Sequence, residues 1–191
     1  MKTIRAFLAM VILLALAGAA FVWSGIYPVG ADAPHWPLTF TLLETLRDRS
    51  VAQAARNIQV PALDDSKLIA EGGEHYNEMC KGCHLAPGIT DSELRAGLYP
   101  QPPDFSKGTD LPSAEAFWTI KHGIKLSAMP AWGTTHSDQQ IWAIVAFVGK
   151  LSDMTPAQYQ TLTGAGQGEE SHHHHHHDAG DGADDDHQSG N

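Results

Sequence analysis

Five consecutive residues, Cys80-Lys81-Gly82-Cys83-His84, constrain this chain more than any other stretch. They contain its only two cysteines, and a histidine follows the second cysteine directly. This spacing is typical of covalent haem attachment. Two thiols on neighbouring turns add across the two vinyl groups of one porphyrin, and the next side chain then lies beneath the iron. The motif therefore predicts one haem c, with Cys80 and Cys83 as its thioether links and His84 as the proximal ligand.

Two other interpretations of the motif explain less. A redox-active disulfide usually accompanies a βαβ pattern, which this sequence lacks, and it gives no role to His84. A structural zinc site needs four ligands, and no second Cys/His pair lies at the required spacing. Haem attachment is the interpretation that uses all three side chains.

The second axial position of such an iron is predicted to be filled by Met129. Pro130 favours an extended backbone at Met129, and Gly133 permits a sharp return of the chain. The other methionines are expected to precede the domain, to lie next to the first cysteine or to follow the last helix: Met1, Met10, Met79 and Met154. Ordinary core packing is the commoner role of a methionine, and His122 is the rival ligand. Ligation by His and Met raises the potential and favours electron transfer over substrate binding.

The segment from His84 to Met129, bracketed by predicted helices, resembles a class I c-type cytochrome of the single-haem, membrane-anchored bacterial kind. The resemblance covers residues 64–155, about half of the chain. It rests on the CxxCH motif and on residues 121–133, KHGIKLSAMPAWG, which are similar to the family's methionine-ligand loop. It implies an all-α fold, a cytochrome c-like helical haem domain and a function in electron transfer.

The resemblance also implies contacts around the haem. In this family a proline carbonyl accepts the Nδ1 hydrogen of the proximal histidine and so fixes its ring; Pro102 and Pro103 are both candidates. Buried haem carboxylates need hydrogen-bond donors. The candidate donors are Arg95, Tyr99, Trp118 and Trp132.

The N-terminus is strongly apolar. Lys2 and Arg5 precede residues 6–23, eighteen residues without a charge. A helix of this length nearly matches a hydrocarbon core about 30 Å thick. Residues 1–24 are therefore predicted to be a transmembrane anchor or an uncleaved signal, with cleavage after residues 17–19 as the alternative. Since positive charges stay on the cytoplasmic side, we expect the haem domain in the periplasm, attached to a bacterial inner membrane.

The rest of the chain divides into a linker with a juxtamembrane helix and a haem domain. The linker, residues 25–63, shows a helical pattern over 38–58 that Pro61 ends. In the haem domain, residues 64–155, helices are predicted from about Ser66 into the CxxCH motif, over residues 91–97, over 113–122 and after Ser137. Gly72 and Tyr76 share a helical face, which we expect to cross the last helix near Trp142, Val145 or Phe147.

The C-terminal segment, residues 156–191, is predicted to be a disordered tail because it has few apolar residues to bury. It contains six consecutive histidines, His172 to His177, which are either an expression tag or a site for copper, nickel or zinc. The formal charge of −10 lies mostly in this tail, since residues 1–168 carry 12 bases against 15 acids. Bulk charge therefore argues against nucleic-acid binding.

These features predict an electron-transfer protein, alone or as a subunit of an oxidoreductase complex of a respiratory chain. Its partners are expected to be redox proteins in or on the membrane. The sequence has no Ser/His/Asp constellation, phosphate loop or dinucleotide fingerprint, so catalysis by the protein itself is not expected. Two alternatives remain: a metal-handling protein whose His-rich tail acts with a redox haem, and a haem enzyme or gas sensor with an open iron site.

Overall fold

The computed structural model describes residues 1–164. Six histidines, His172 to His177, and the rest of the acidic tail lie outside the described residues. Within residues 1–164 the elements are all helical, which confirms the all-α prediction. The α-helices are α1 Lys2–Ser24, α2 Pro37–Ala55, α3 Ser66–Met79, α4 Lys81–His84, α5 Glu93–Ala96, α6 Ser113–His122, α7 Asp138–Leu151 and α8 Pro156–Thr163. Two short 3-10 helices are Phe105–Lys107 and Trp132–Thr134.

Helix α1 is long and apolar enough to cross a membrane. It has a mean hydropathy of 2.5 over its most apolar window, and none of that window is buried by the protein. Gly25 closes the helix in the left-handed conformation, at φ 62°. The predicted anchor is therefore a candidate membrane span in the structure.

Helix α2 is shorter than its predicted range of 38–58. It ends at Ala55, and a turn follows in which the backbone N–H of Ile58 donates to the Ala55 carbonyl, at 2.9 Å. The C-terminal half of α2 buries Val51 and Ala55, and the helix packs on α6. The linker thus contributes directly to the core.

The central contact within residues 64–155 is the crossing of α3 and α7. Gly72 lies at this crossing, as predicted. It faces the backbone of Ala143 and Ile144, between the predicted neighbours Trp142 and Val145. Tyr76 is fully buried against Phe147, with ring centroids 5.3 Å apart. The predicted crossing is confirmed through Phe147.

The predicted helix starts are confirmed by their side-chain caps. Asp65 caps α3 by accepting hydrogen bonds from the backbone N–H groups of Lys67 and Leu68. Ser137 and Gln140 form a capping box at the start of α7, where a helix was predicted. These local interactions place the two crossing helices where the sequence indicated.

The prediction of disorder from residue 156 is wrong for its first part, since Pro156–Thr163 forms α8. Thr155 and Gln158 form a capping box at its start. Tyr159 is 3% exposed and its hydroxyl donates a hydrogen bond to Asn77 Oδ1, at 3.0 Å. Tyr159 and Thr163 are buried, Leu162 packs against the same core, and the helix contacts α3 despite its low apolar content.

Candidate functional site

The cysteines and the histidine of the motif are brought together by a break between two helices. Cys80 ends α3 and begins the single turn α4, which closes at His84. The Cys80 carbonyl accepts hydrogen bonds from the backbone N–H groups of Cys83, at 3.1 Å, and of His84, at 2.9 Å. Both cysteines are free thiols and partly buried. The turn therefore presents two thiols and an imidazole within five residues.

The imidazole of His84 is fixed by the segment Pro103–Phe105 on two sides. Its Nδ1 lies 3.0 Å from the carbonyl oxygen of Pro103, which decides between the two proline candidates. Phe105 stacks on the ring, with centroids 4.5 Å apart and planes 6° from parallel. Because Nδ1 donates to a carbonyl, Nε2 is the nitrogen with a free lone pair.

The surroundings of His84 favour the neutral imidazole. Burial lowers its pKa, and the charge of Arg95 lowers it further, while the hydrogen bond to Pro103 acts in the opposite direction. A neutral imidazole is the form that binds a metal.

The environment of Cys80 does not suit a redox-active disulfide. Burial, with a smaller contribution from Cys83, raises the pKa of its thiol to about 12. Reactive Cys-x-x-Cys motifs instead have a lowered thiol pKa. The alternative of a dithiol redox centre therefore loses support.

Hydrogen bonds from outside the motif hold α4 in place. Tyr76 is buried, and its hydroxyl donates to the Leu85 carbonyl at 2.6 Å. The Ser92 hydroxyl donates to the Gly82 carbonyl. Asn77 Oδ1 accepts from Lys81 Nζ, at 2.9 Å, as well as from α8. The attachment turn is thus fixed from three sides.

Met129 lies on a separate loop between α6 and the Trp132–Thr134 turn. Hydrogen bonds within this loop fix its backbone. The Met129 carbonyl accepts from the Ile124 N–H, at 3.1 Å, and the Met129 N–H donates to the Ser127 hydroxyl, at 3.1 Å. Gly123 has φ 64°, and a Cβ there would lie 2.7 Å from the Met129 carbonyl oxygen. The side chain is partly buried.

The rival ligand, His122, is exposed, and its ring lies against Trp118 with centroids 4.8 Å apart. It is the last residue of α6, immediately before the loop that carries Met129. Met129 is therefore the stronger candidate of the two.

A buried, unpaired donor indicates where an anionic group would fit. Two guanidinium nitrogens of Arg95 donate to Gln101 Oε1, at 2.7 Å, and to the Pro102 carbonyl, at 3.0 Å. Within residues 1–164 its Nε is buried and has no partner. A carboxylate of a porphyrin would satisfy this nitrogen. Two thiols, an imidazole, a thioether and this guanidinium are the kinds of chemical group that would suit haem c.

The other predicted carboxylate donors have different neighbours. Tyr99 accepts a hydrogen bond from the backbone N–H of His35, at 3.1 Å. Trp132 packs edge-on against His136, with centroids 5.5 Å apart. Sequence reasoning missed Phe105, whose stacking depends on the capped turn that follows Asp104.

Comparison with known proteins identifies one family. Residues 67–148 match the family model described as cytochrome C oxidase, cbb3-type, subunit III. No curated protein and no solved structure matches the chain. The matched range contains the CxxCH motif, the residues Pro103 and Phe105 that contact His84, and the Met129 loop. It ends within α7.

Proposed function

Residues 67–148 are a class I c-type cytochrome domain, and on this premise we propose that the protein transfers electrons through a single haem c linked to Cys80 and Cys83. It acts as a carrier or as the electron-transfer subunit of a larger oxidoreductase complex. The hydrogen bond between His84 Nδ1 and the Pro103 carbonyl is the observation that supports this proposal most directly. It leaves Nε2 free to bind iron as the proximal ligand.

Met129 is proposed as the distal ligand. A bound haem c would accept and release one electron, and ligation by both His84 and Met129 would favour electron transfer over substrate binding. Pro103 and Phe105 hold the His84 ring in one orientation, and Arg95 would pair with a haem carboxylate. The charge distribution of α1 supports a periplasmic haem domain, because Lys2 and Arg5 lie in its first turns, before its uncharged residues 6–23.

The proposed partners are redox proteins in or on the bacterial inner membrane. The description of the matched family names an oxidase subunit, which supports a place in a respiratory complex. We further propose that the haem domain begins at residue 64 and includes α8, because α8 packs on α3.

Intact mass spectrometry and visible absorption of the protein purified from membranes test the proposal. The expected result is a coloured protein with the added mass of one haem. Both Cys80→Ser and Cys83→Ser should reduce or abolish the covalent attachment of this haem. The reduced protein should resist carbon monoxide. A colourless protein with the mass of the bare chain would overturn the proposal, and ready binding of carbon monoxide would favour the gas-sensor or enzyme alternative.

A further inference from the structure

Helix α2 has an apolar side that the protein leaves uncovered. Leu38, Leu42 and Leu46 are 72%, 61% and 66% exposed, and their spacing of four places them on one side of the helix. Val51 and Ala55, which are 7% and 2% exposed, lie on the opposite side at 3.6 residues per turn. The helix is therefore apolar on two sides, and the protein itself covers only one of them.

The start of α2 lies level with the end of the candidate membrane span. Trp36 directly precedes α2, and its ring is 6.0 Å from Phe21, which is in the last turn of α1. Tyr27 packs edge-on against Trp36, at 5.0 Å. Tryptophan and tyrosine are enriched where a membrane meets water. If α1 crosses a bilayer, the first turn of α2 is therefore at the interface.

Direct contacts join this aromatic group to the haem domain. The Tyr27 hydroxyl is 2.9 Å from His35 Nδ1, and the His35 backbone N–H donates to the Tyr99 hydroxyl at 3.1 Å. The rings of His35 and Tyr99 also meet edge-on at 5.3 Å. Tyr99 is on the loop that leads to Pro103. These contacts hold the domain in a defined position relative to α1.

Basic residues continue the exposed side of α2 beyond the leucines. Arg49 and Arg56 are three and five turns after Leu38 at 3.6 residues per turn, and both are exposed. Neither forms an ion pair in the part of the chain that the structure describes, whereas Arg47 pairs with Glu44 and Asp48. Arginines near an apolar helix surface are suited to anionic lipid headgroups.

We propose that this α2 stripe, formed by Leu38, Leu42, Leu46, Arg49 and Arg56, lies on the anionic surface of the bilayer that α1 spans. Its leucines enter the boundary between headgroups and acyl chains, and its arginines contact lipid phosphates. Together with the Tyr99 contact, the stripe fixes which side of the haem domain faces the membrane. The inference rests on the proposed anchoring by α1.

Photocrosslinking of the full-length holoprotein in nanodiscs of phosphatidylcholine and phosphatidylglycerol tests this inference. The photoreactive amino acid p-benzoylphenylalanine replaces Leu42 in one variant, Leu13 of α1 in a second and exposed Gln160 of α8 in a third. Helix α8 packs on α3 and serves as the control surface. Lipid adducts are expected at Leu42 and Leu13 and not at Gln160. Phosphatidylglycerol should be enriched about fivefold at Leu42 relative to Leu13, as expected for one basic residue near an anionic surface, because Arg49 is about two turns from Leu42 and Arg56 is about four turns away. R49Q together with R56Q should remove the enrichment.

Each other outcome has a distinct meaning. Lipid adducts at Leu13 but none at Leu42 would overturn the inference and leave the anchor intact. A crosslink from Leu42 to a second copy of the chain or to a partner protein would assign the stripe to that occupant instead. No adduct at Leu13 would overturn the anchoring itself. Equal lipid ratios at Leu42 and Leu13 would overturn the role of the two arginines.

Discussion

Gly72 and Ala143 bring the backbones of α3 and α7 into contact: a Cβ on Gly72 would lie 1.9 Å from the Ala143 carbonyl oxygen. Glycine within a helix costs about 1 kcal/mol relative to alanine. The close approach explains why a glycine occupies this position. It also sets the separation at which Tyr76 packs on Phe147, directly before the attachment turn.

Gly72→Ala should therefore destabilise the holoprotein severely. The methyl group forces α3 and α7 apart, and we expect a loss of about 3 kcal/mol or more in the free energy of unfolding. Urea unfolding followed by haem absorbance and circular dichroism measures it. Gly149→Ala is the matched control, because, apart from its chain neighbours and the backbone of its own helix, no heavy atom lies within 4 Å of its Cβ position. The control should gain about 0.5–1 kcal/mol. Equal stability of Gly72→Ala and the wild type would contradict the crossing.

Asp104 should contribute stability that depends on pH. Burial acts to raise its pKa, but hydrogen bonds from Ser106 and the ion pair with Lys107 Nζ, at 2.9 Å, outweigh burial and lower it. A carboxyl whose pKa is lower in the folded state stabilises the fold above its ordinary pKa and loses this effect as pH falls through the lowered value.

Asp104→Asn should thus cost about 1 kcal/mol at pH 7. The difference from the wild type should shrink below about pH 4. Urea unfolding at neutral and acidic pH measures the change, and exposed Asp110→Asn is the control. A difference that stays constant over this range would show that the charge of Asp104 has no part in its effect.

Met129→Ala tests the distal ligand. Loss of the thioether should open the iron to carbon monoxide and lower the reduction potential by more than about 60 mV, a tenfold change in the equilibrium constant of a one-electron couple. Carbon monoxide difference spectra and potentiometric titration measure the two effects. Met154→Ala is the control, since Met154 packs against the core that contains Tyr76 and Phe147. If Met154→Ala and Met129→Ala give the same small change in potential, another residue is the ligand.

How far the sequence predicts this structure depends on the range of the interactions involved. Helices α3, α6 and α7 were predicted because caps such as Asp65 and Ser137 and the apolar periodicity act within one or two turns. Which proline accepts from His84 depends on how a loop 19 residues further along the chain packs against the imidazole. No local sequence pattern distinguishes Pro103 from Pro102 in this respect.

Helix α8 and the stacking of Phe105 were missed for different reasons. A capping box of Thr155 and Gln158 indicates the start of α8, but the low apolar content of that segment led to the prediction of disorder. The stacking of Phe105 on His84 follows from the turn that Asp104 caps, and this Asx-type signal fixes the turn without showing what the ring contacts.

The last prediction concerns the support of the attachment turn by α8. The Tyr159 hydroxyl donates to Asn77 Oδ1, which also accepts from Lys81 at the start of α4. Tyr159→Phe removes this bond and keeps the ring, so we expect a loss of about 1 kcal/mol. Tyr159→Ala also removes the ring that packs against Phe147, and should cost about 3–5 kcal/mol. Urea unfolding of both variants separates the two contributions. If Tyr159→Ala is as stable as the wild type, α8 does not support the domain, and the proposed domain boundary must return to residue 155.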